Sequence, residues 1–366
     1  MKDNKKKVAI VTESLWKMAG ANRVLEALAE MYPYADIHAL VGNEKNISET
    51  IRSHNIKYSF LNKIPFIKNI YRYTCFLWPL AIESFDLSEY DLVISSSASV
   101  AHGCITNVNA KHVAYIHSPM RYAWDLKNLY FNKKHFGLWK RLVIPFFLTY
   151  LRAWDVSASQ RPDILIANSE FVAKRCQKYW GRIPNSVIYP PVESYAGKVV
   201  KDRDNYLVCG APLEPNKGGE FLFDCAKELG FNLKVIGNGS LLKKFKRKYL
   251  KYPNIEFLGW VDERDKWNLL SHAKGFVIPG VEDFGIFPVE ATSCGSPVLA
   301  FKNGGALETV KEGLNGVFFE EHSLESFQKG YKVLVSKKWN SKKIVESSAV
   351  YEKKRFVKEF EKYLQS

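Results

Sequence analysis

The sequence predicts an α/β protein built from two doubly wound, Rossmann-like domains. Three observations predict it: the length of 366 residues, a repeated strand-and-helix grammar in each half, and a turn-rich break between the halves. At roughly 150 residues per domain, a chain of this length suits two cores. Short apolar runs occupy residues 8–12, 37–41, 91–95, 112–116 and 163–168, then 206–209, 232–236, 254–258, 275–279 and 297–301. Runs of that length, spaced widely enough for crossover helices, are the pattern of buried parallel strands. The stretch 188–205, IYPPVESYAGKVVKDRDN, interrupts this grammar with two prolines, a glycine and charge. The expected division is 1–195 for an N-terminal domain, 196–345 for a C-terminal domain, and 346–366 for a terminal helix.

Taken in order, the first strand is followed by Gly20 and by a helical pattern over 21–31. Residues 136–158 carry Trp139, Leu142, Phe146, Phe147, Tyr150 and Trp154 with Lys140, Arg141 and Arg152 interleaved, which predicts core packing. Within it, the apolar run 142–151 is broken by Pro145 and is too short for a membrane span. In the second half, helices are expected over 218–229, 240–249 and 263–271. Residues 351–364 place Phe356, Val357, Phe360 and Leu364 at helical spacing, so the chain ends in an amphipathic helix. That helix is expected to pack back on the N-terminal domain.

Composition narrows the class. With 46% hydrophobic and 25% charged residues the chain is neither disordered nor fibrous. The six cysteines are scattered, without metal-type spacing, and are expected to be reduced thiols of a cytoplasmic protein. MKDNKKK runs directly into VAIVTES, too short for an export signal, and no apolar run approaches the ~20 residues of a membrane span. The formal charge of +15 allows anionic partners, yet no nucleic-acid-binding motif accompanies the lysines.

Chemistry concentrates in EDFGIFPVEATSCGSPV. Pro288 suits a first helical turn and Gly295 a helix end, so a short helix opens after Gly285 with its amides directed outward. Free amides at a helix start attract anions, and a glycine lets a phosphate approach closely. Glu282 lies before the helix and Glu290 within it, so one carboxylate can meet a sugar and the other a ribose. Gly237-Asn238-Gly239 lacks the third glycine of a dinucleotide fingerprint, which disfavours an oxidoreductase.

This run resembles the signature of glycosyltransferase family 4, retaining enzymes whose motif is Glu, seven residues, Glu. YIHSPMRYAWD, DILIANSEF, VIYPPV, LEPNKGG, VIGNG and NIEFLGWV resemble further family blocks along nearly the whole chain. The first of these is similar to the bacterial mannosyltransferase-like subgroup of O-antigen and surface-polysaccharide synthesis. The resemblance implies the GT-B fold, with two domains facing a central cleft. It implies that Glu282 contacts the donor sugar, that Glu290 contacts the ribose, and that amides around Gly285, Ile286 and Phe287 hold the diphosphate with Lys217. It implies that Gly259, Trp260 and Val261 meet the base, and that Gly20 and Ala21 approach the phosphates. His117 is expected to reach the cleft, rather than the core, and to bond the donor sugar. Where the family usually has an arginine this chain has Pro212, with Arg121 as a substitute cation.

The activity so implied is transfer of a hexose, mannose favoured with GDP-mannose as donor, to a lipid-linked or polysaccharide acceptor. A polyprenyl-diphosphate-linked acceptor would place the protein at an anionic membrane, and the aromatic-basic segments 58–78 and 139–154 are the expected docking surface. Competing readings are a UDP-sugar donor and a catalytically silent nucleotide-sugar-binding subunit. No obligatory cofactor or metal is expected; Asp202-Arg203-Asp204 is taken as a solvated charge cluster in the linker.

Overall fold

The fold is described from a computed structural model, covering residues 6–18, 20–131, 138–210 and 213–364, and the side chains of all of these except 138–142. The chain divides into two units, Met1–Pro191 with Lys353–Ser366, and Val192–Glu352.

The first unit holds seven strands: β1 (Val8–Leu15), β2 (Asp36–Gly42), β3 (Ile56–Tyr58), β4 (Leu92–Ser97), β5 (Lys111–Ile116), β6 (Ile164–Ala167) and β7 (Ser186–Val187). They form one sheet in the order β3-β2-β1-β4-β5-β6-β7, parallel throughout. β1 shows why. Its side chains alternate between two apolar layers: Val8 and Ile10 join Leu25, Leu28 and Ile37, while Ala9 and Val11 join Leu61, Trp78 and Leu151. A strand buried on both faces belongs at the centre of a parallel sheet. The first layer is completed by the Gly20–Met31 helix and by the Lys353–Glu361 helix, whose Phe356 and Phe360 are fully buried beside Tyr115.

The Leu138–Ser159 helix runs through Pro145. A proline removes one amide donor, and Leu148 and Leu151, buried beyond it, hold the following turns against the sheet. Of the residues expected in the core, Phe147 and Trp154 pack partly buried against this layer, Phe146 and Tyr150 are exposed, and the side chains of Trp139 and Leu142 lie outside the described residues. No helix among the described residues is long and apolar enough to cross a membrane.

The second unit holds β8 (Leu207–Gly210), β9 (Leu233–Ile236), β10 (Ile255–Gly259), β11 (Gly275–Ile278), β12 (Val298–Phe301) and β13 (Gly316–Phe319), in the order β10-β9-β8-β11-β12-β13. All neighbours are parallel. Phe223, Phe245, Phe319 and Phe327 fill one face, and Phe276, Ile278, Ala291 and Cys294 the other. In both sheets the chain winds outward in one direction and then in the other, so the order reverses between β1 and β4 and between β8 and β11. Loops leaving such a pair at their C-terminal ends part to opposite sides and leave a crevice for a ligand.

Arg203 corrects the expected solvated cluster. Its guanidinium donates to the carbonyls of Ser271 at 2.8 Å and Cys294 at 2.9 Å, at the ends of the Glu263–His272 and Ile286–Ser293 helices. Helix C-terminal carbonyls lack intrahelical donors and carry partial negative charge, which a cation satisfies.

Candidate active site

The crevice of the second sheet is built by glycines. Beyond β8 the chain makes a tight turn over Pro215–Lys217, and beyond β11 it turns at Pro279 and Gly280. A Cβ on Gly218 would stand 2.5 Å from the Pro279 carbonyl oxygen, and one on Gly280 would stand 2.7 Å from the Lys217 carbonyl carbon. The two loops therefore touch backbone to backbone, which only residues without side chains allow. That contact brings Lys217 and Glu282 together, Nζ to Oε2 at 2.5 Å, although 65 residues separate them. Both are mostly buried, with side-chain exposures of 11% and 21%. The Gly305 amide donates to the Glu282 carbonyl at 2.8 Å and fixes the backbone beneath the carboxylate.

The Ile286–Ser293 helix begins directly after this pair. Gly285 precedes it at φ +90° with no side-chain cap, and Gly295 follows at φ +76°. The Phe287 ring packs onto Gly210 at the end of β8 and against Phe276, 5.3 Å between centroids. Its side chain is thus committed to the core, while the helix start with the Gly285, Ile286 and Phe287 backbone faces the crevice loops. Such a start favours a diphosphate. Glu290 is buried in the same helix, and its Oε1 accepts from Lys266 Nζ at 2.8 Å. At the end of β10, Gly259 takes φ +74° and its carbonyl accepts from the Gly237 amide at 2.7 Å. Trp260 is 64% exposed and Val261 packs into the second layer of the core.

Other expected residues lie in the first unit. Gly20 and Ala21 open the Gly20–Met31 helix, where Asn22 Nδ2 donates to the Lys17 carbonyl at 2.8 Å and ties down the preceding loop. His117 follows β5, and the residue is buried. Its Nε2 lies 2.9 Å from Ser96 Oγ, and the ring meets Tyr115 edge-on at 5.2 Å. Burial, with Arg121 second, lowers its pKa to about 3, so the imidazole is neutral at ordinary pH. Arg121 Nε donates to Ser118 Oγ at 3.2 Å. Pro212 lies outside the described residues.

Two partners escaped the sequence reading. Lys266 is one; no periodicity relates it to Glu290. Glu13, at the end of β1, is the other: its Oε1 accepts from the amides of Ala98, Ser99, Val100 and Ala101 at 2.8 to 3.1 Å. A glutamate closing the apolar run VAIVT was the available signal. It anchors the β4 loop at the crevice of the first sheet.

Two parallel sheets of this topology, with a basic residue, a carboxylate and an uncapped helix start in the second crevice, define the GT-B class of nucleotide-sugar-binding proteins. Residues 18–194 match the family Glycosyltransferase Family 4, and residues 193–350 match Glycosyl transferases group 1. The chain belongs to glycosyltransferase family 4 and has the GT-B fold. It is similar to a glycosyltransferase of Methanocaldococcus jannaschii, 31% identical over 143 residues covering 38% of this chain and 41% of that one. It is similar also to a GDP-mannose-dependent monoacylated α-(1-6)-phosphatidylinositol monomannoside mannosyltransferase of Corynebacterium glutamicum, 31% identical over 123 residues, 30% of this chain and 32% of that one. The matched segments thus span less than half the length of these curated relatives. The fold matches that of Anabaena HepE, solved with UDP and glucose, at TM-score 0.67 and 17% identity over 99% of this chain and 100% of that one.

Proposed function

We propose that this chain is a retaining glycosyltransferase that moves a hexose from a nucleotide sugar to a lipid-linked or polysaccharide acceptor of cell-surface glycan synthesis. The observation that carries the reading is the Lys217–Glu282 pair in front of the uncapped Ile286–Ser293 helix. Without donor, the two charges neutralise each other. A nucleotide sugar brings a diphosphate for the ammonium and hydroxyls for the carboxylate, so each member of the pair gains a new partner, and the helix-start amides meet the phosphate charge that the ammonium leaves over. When the bond from the anomeric carbon to the diphosphate oxygen breaks, its electrons pass to that oxygen. Lys217 and the helix-start amides then stabilise the departing charge. The acceptor hydroxyl adds to the same face, and its proton passes to the leaving phosphate. His117, a neutral imidazole, serves as a hydrogen-bonding group for the sugar rather than as an acid. No metal is required in this scheme.

Mannose and GDP are favoured by the mannosyltransferases among the relatives; the UDP of the HepE complex supports a UDP-sugar as the second reading. Thermal-shift measurements against GDP-, UDP- and ADP-sugars decide between them. At a donor concentration 100 times its Kd, stabilisation by about 2.7 kcal/mol is expected for the matched donor alone. Stabilisation without turnover or donor hydrolysis would indicate a silent subunit, and no response to any of the three would overturn the donor-site assignment.

The acceptor reading has its own support. Phe66, Tyr73 and Phe146 are 82%, 78% and 80% exposed, and the segments that carry them meet through Phe76 and Phe147, 5.9 Å between ring centroids. Interleaved Lys63, Lys68 and Arg72 suit anionic headgroups. Phe66→Ser with Phe146→Ser is expected to weaken partition onto anionic vesicles by about tenfold or more, since each ring contributes roughly 1.5–3 kcal/mol on burial. Equal retention of both proteins in flotation assays would remove the docking surface.

A further inference from the structure

Glu290 is held from a neighbouring helix. Its side chain is 9% exposed, and Lys266, on the Glu263–His272 helix, reaches its Oε1 at 2.8 Å with a side chain only 10% exposed. The same ammonium reaches Glu263 Oε2 at 2.8 Å, one turn back along its own helix, and stands 4.5 Å from the Trp267 ring centroid. Asp262 closes that helix by accepting from the Asp265 amide at 2.8 Å, which anchors the turn from which Lys266 projects. Burial alone would depress the lysine, but Glu290 and then Glu263 hold its pKa above the ordinary value. A buried ammonium touching two carboxylates is an expensive arrangement to desolvate. Other apolar residues would fill the space at lower cost, so its presence beside an expected donor-binding carboxylate has a functional explanation.

We propose that Lys266 is a positioning residue for ribose recognition: it clamps one oxygen of Glu290, so that the carboxylate stays ionised and oriented to accept from the vicinal hydroxyls of the donor's ribose. This rests on the reading of Glu290 as the ribose ligand. A carboxylate in apolar surroundings without a cation tends to take up a proton, and then offers a donor where two acceptors are wanted. It also rotates about its terminal torsion, which has no strong staggered preference. Lys266 prevents both. Discrimination between ribonucleotide and deoxyribonucleotide donors is then set by a residue one shell behind the sugar, and Glu263, with 56% side-chain exposure, is the arm that holds the ammonium from the solvent side.

The test changes protein and ligand together. Dissociation constants of the full chain for GDP and UDP are measured by titration calorimetry, and the tighter binder is compared with its 2′-deoxy and 3′-deoxy forms. For the wild type, loss of a hydroxyl is expected to weaken binding by about tenfold, as expected where a buried charged acceptor loses its donor. Lys266→Met is expected to shrink that ratio to within about twofold, and Lys266→Arg to keep most of it, since the charge is retained. A lysine that only stabilises the fold would weaken ribo and deoxy ligands alike. An unchanged ratio in Lys266→Met therefore overturns the proposal while leaving Glu290 as the ribose ligand. A wild type that does not discriminate removes the Glu290 reading and the proposal with it. If Lys266→Met does not fold, Lys266→Gln, which keeps an amide donor without the charge, is put through the same comparison.

Discussion

Lys217→Ala is expected to lower kcat/KM for donor turnover by about three orders of magnitude, and Glu282→Ala by at least two, as for removal of a group that meets charge or hydroxyls in the transition state. The lysine carries the larger effect because charge develops on the diphosphate as the bond breaks, whereas the sugar hydroxyls are present from the start. Both variants leave a partly buried charge without its partner, so each is also expected to lose stability. The double variant separates the two contributions: with both charges gone, thermal stability recovers toward wild type while turnover stays low. Steady-state kinetics and melting curves on the three proteins check this. Near-normal turnover in either single variant would sink the site, and recovery of activity in the double variant would show that the pair is structural.

Acidification is expected to unfold the first unit well before carboxylates titrate. His38, His112 and His117 are all buried there, and burial lowers their pKa values to about 4, 3 and 3 respectively. An unfolded histidine has a pKa near 6.5, so below that pH the unfolded chain binds protons that the folded unit refuses. Their contribution is fully present above about pH 6.5 and is lost as pH falls toward the folded values. At pH 5 each group subtracts roughly 2 kcal/mol, and three together approach the whole stability of an ordinary domain. Urea midpoints between pH 7.5 and 5, with hydrogen exchange in β2 and β5 as the local probe, are expected to fall steeply. A flat profile across that range would show that these imidazoles are accommodated in charged form.

Much of the helix before the second crevice was legible because its signals are local. Pro288 and Gly295 marked a helix that spans Ile286–Ser293, and Gly285 does take the positive φ that a backbone approach requires. Longer strands such as β1, β2 and β5 were legible for the same reason, as apolar runs. β3 and β7, with three and two residues, were not, since so few residues carry no period. The Lys217–Glu282 and Lys266–Glu290 contacts belong to another kind of information. They join loops or helices that become neighbours only through the order of strands in the sheet. Gly218 looked like the first residue of a helix, although the lack of side chains on it and on Gly280 is what lets the two loops meet. Arg203 was misread for a related reason: a charge in a turn-rich segment resembles a solvated one until the two helix ends it serves are known.

The Lys353–Glu361 helix belongs to the same unit as the N-terminal sheet, so the polypeptide leaves that unit at Pro191 and returns to it only after residue 352. During synthesis the apolar layer around Tyr115 therefore waits, incomplete, for Phe356 and Phe360 to emerge from the ribosome. By then all of Val192–Glu352 has been made. The later-made unit is the one able to finish its core first, and the earlier one stays exposed to proteases and chaperones until the Lys353–Glu361 helix has emerged.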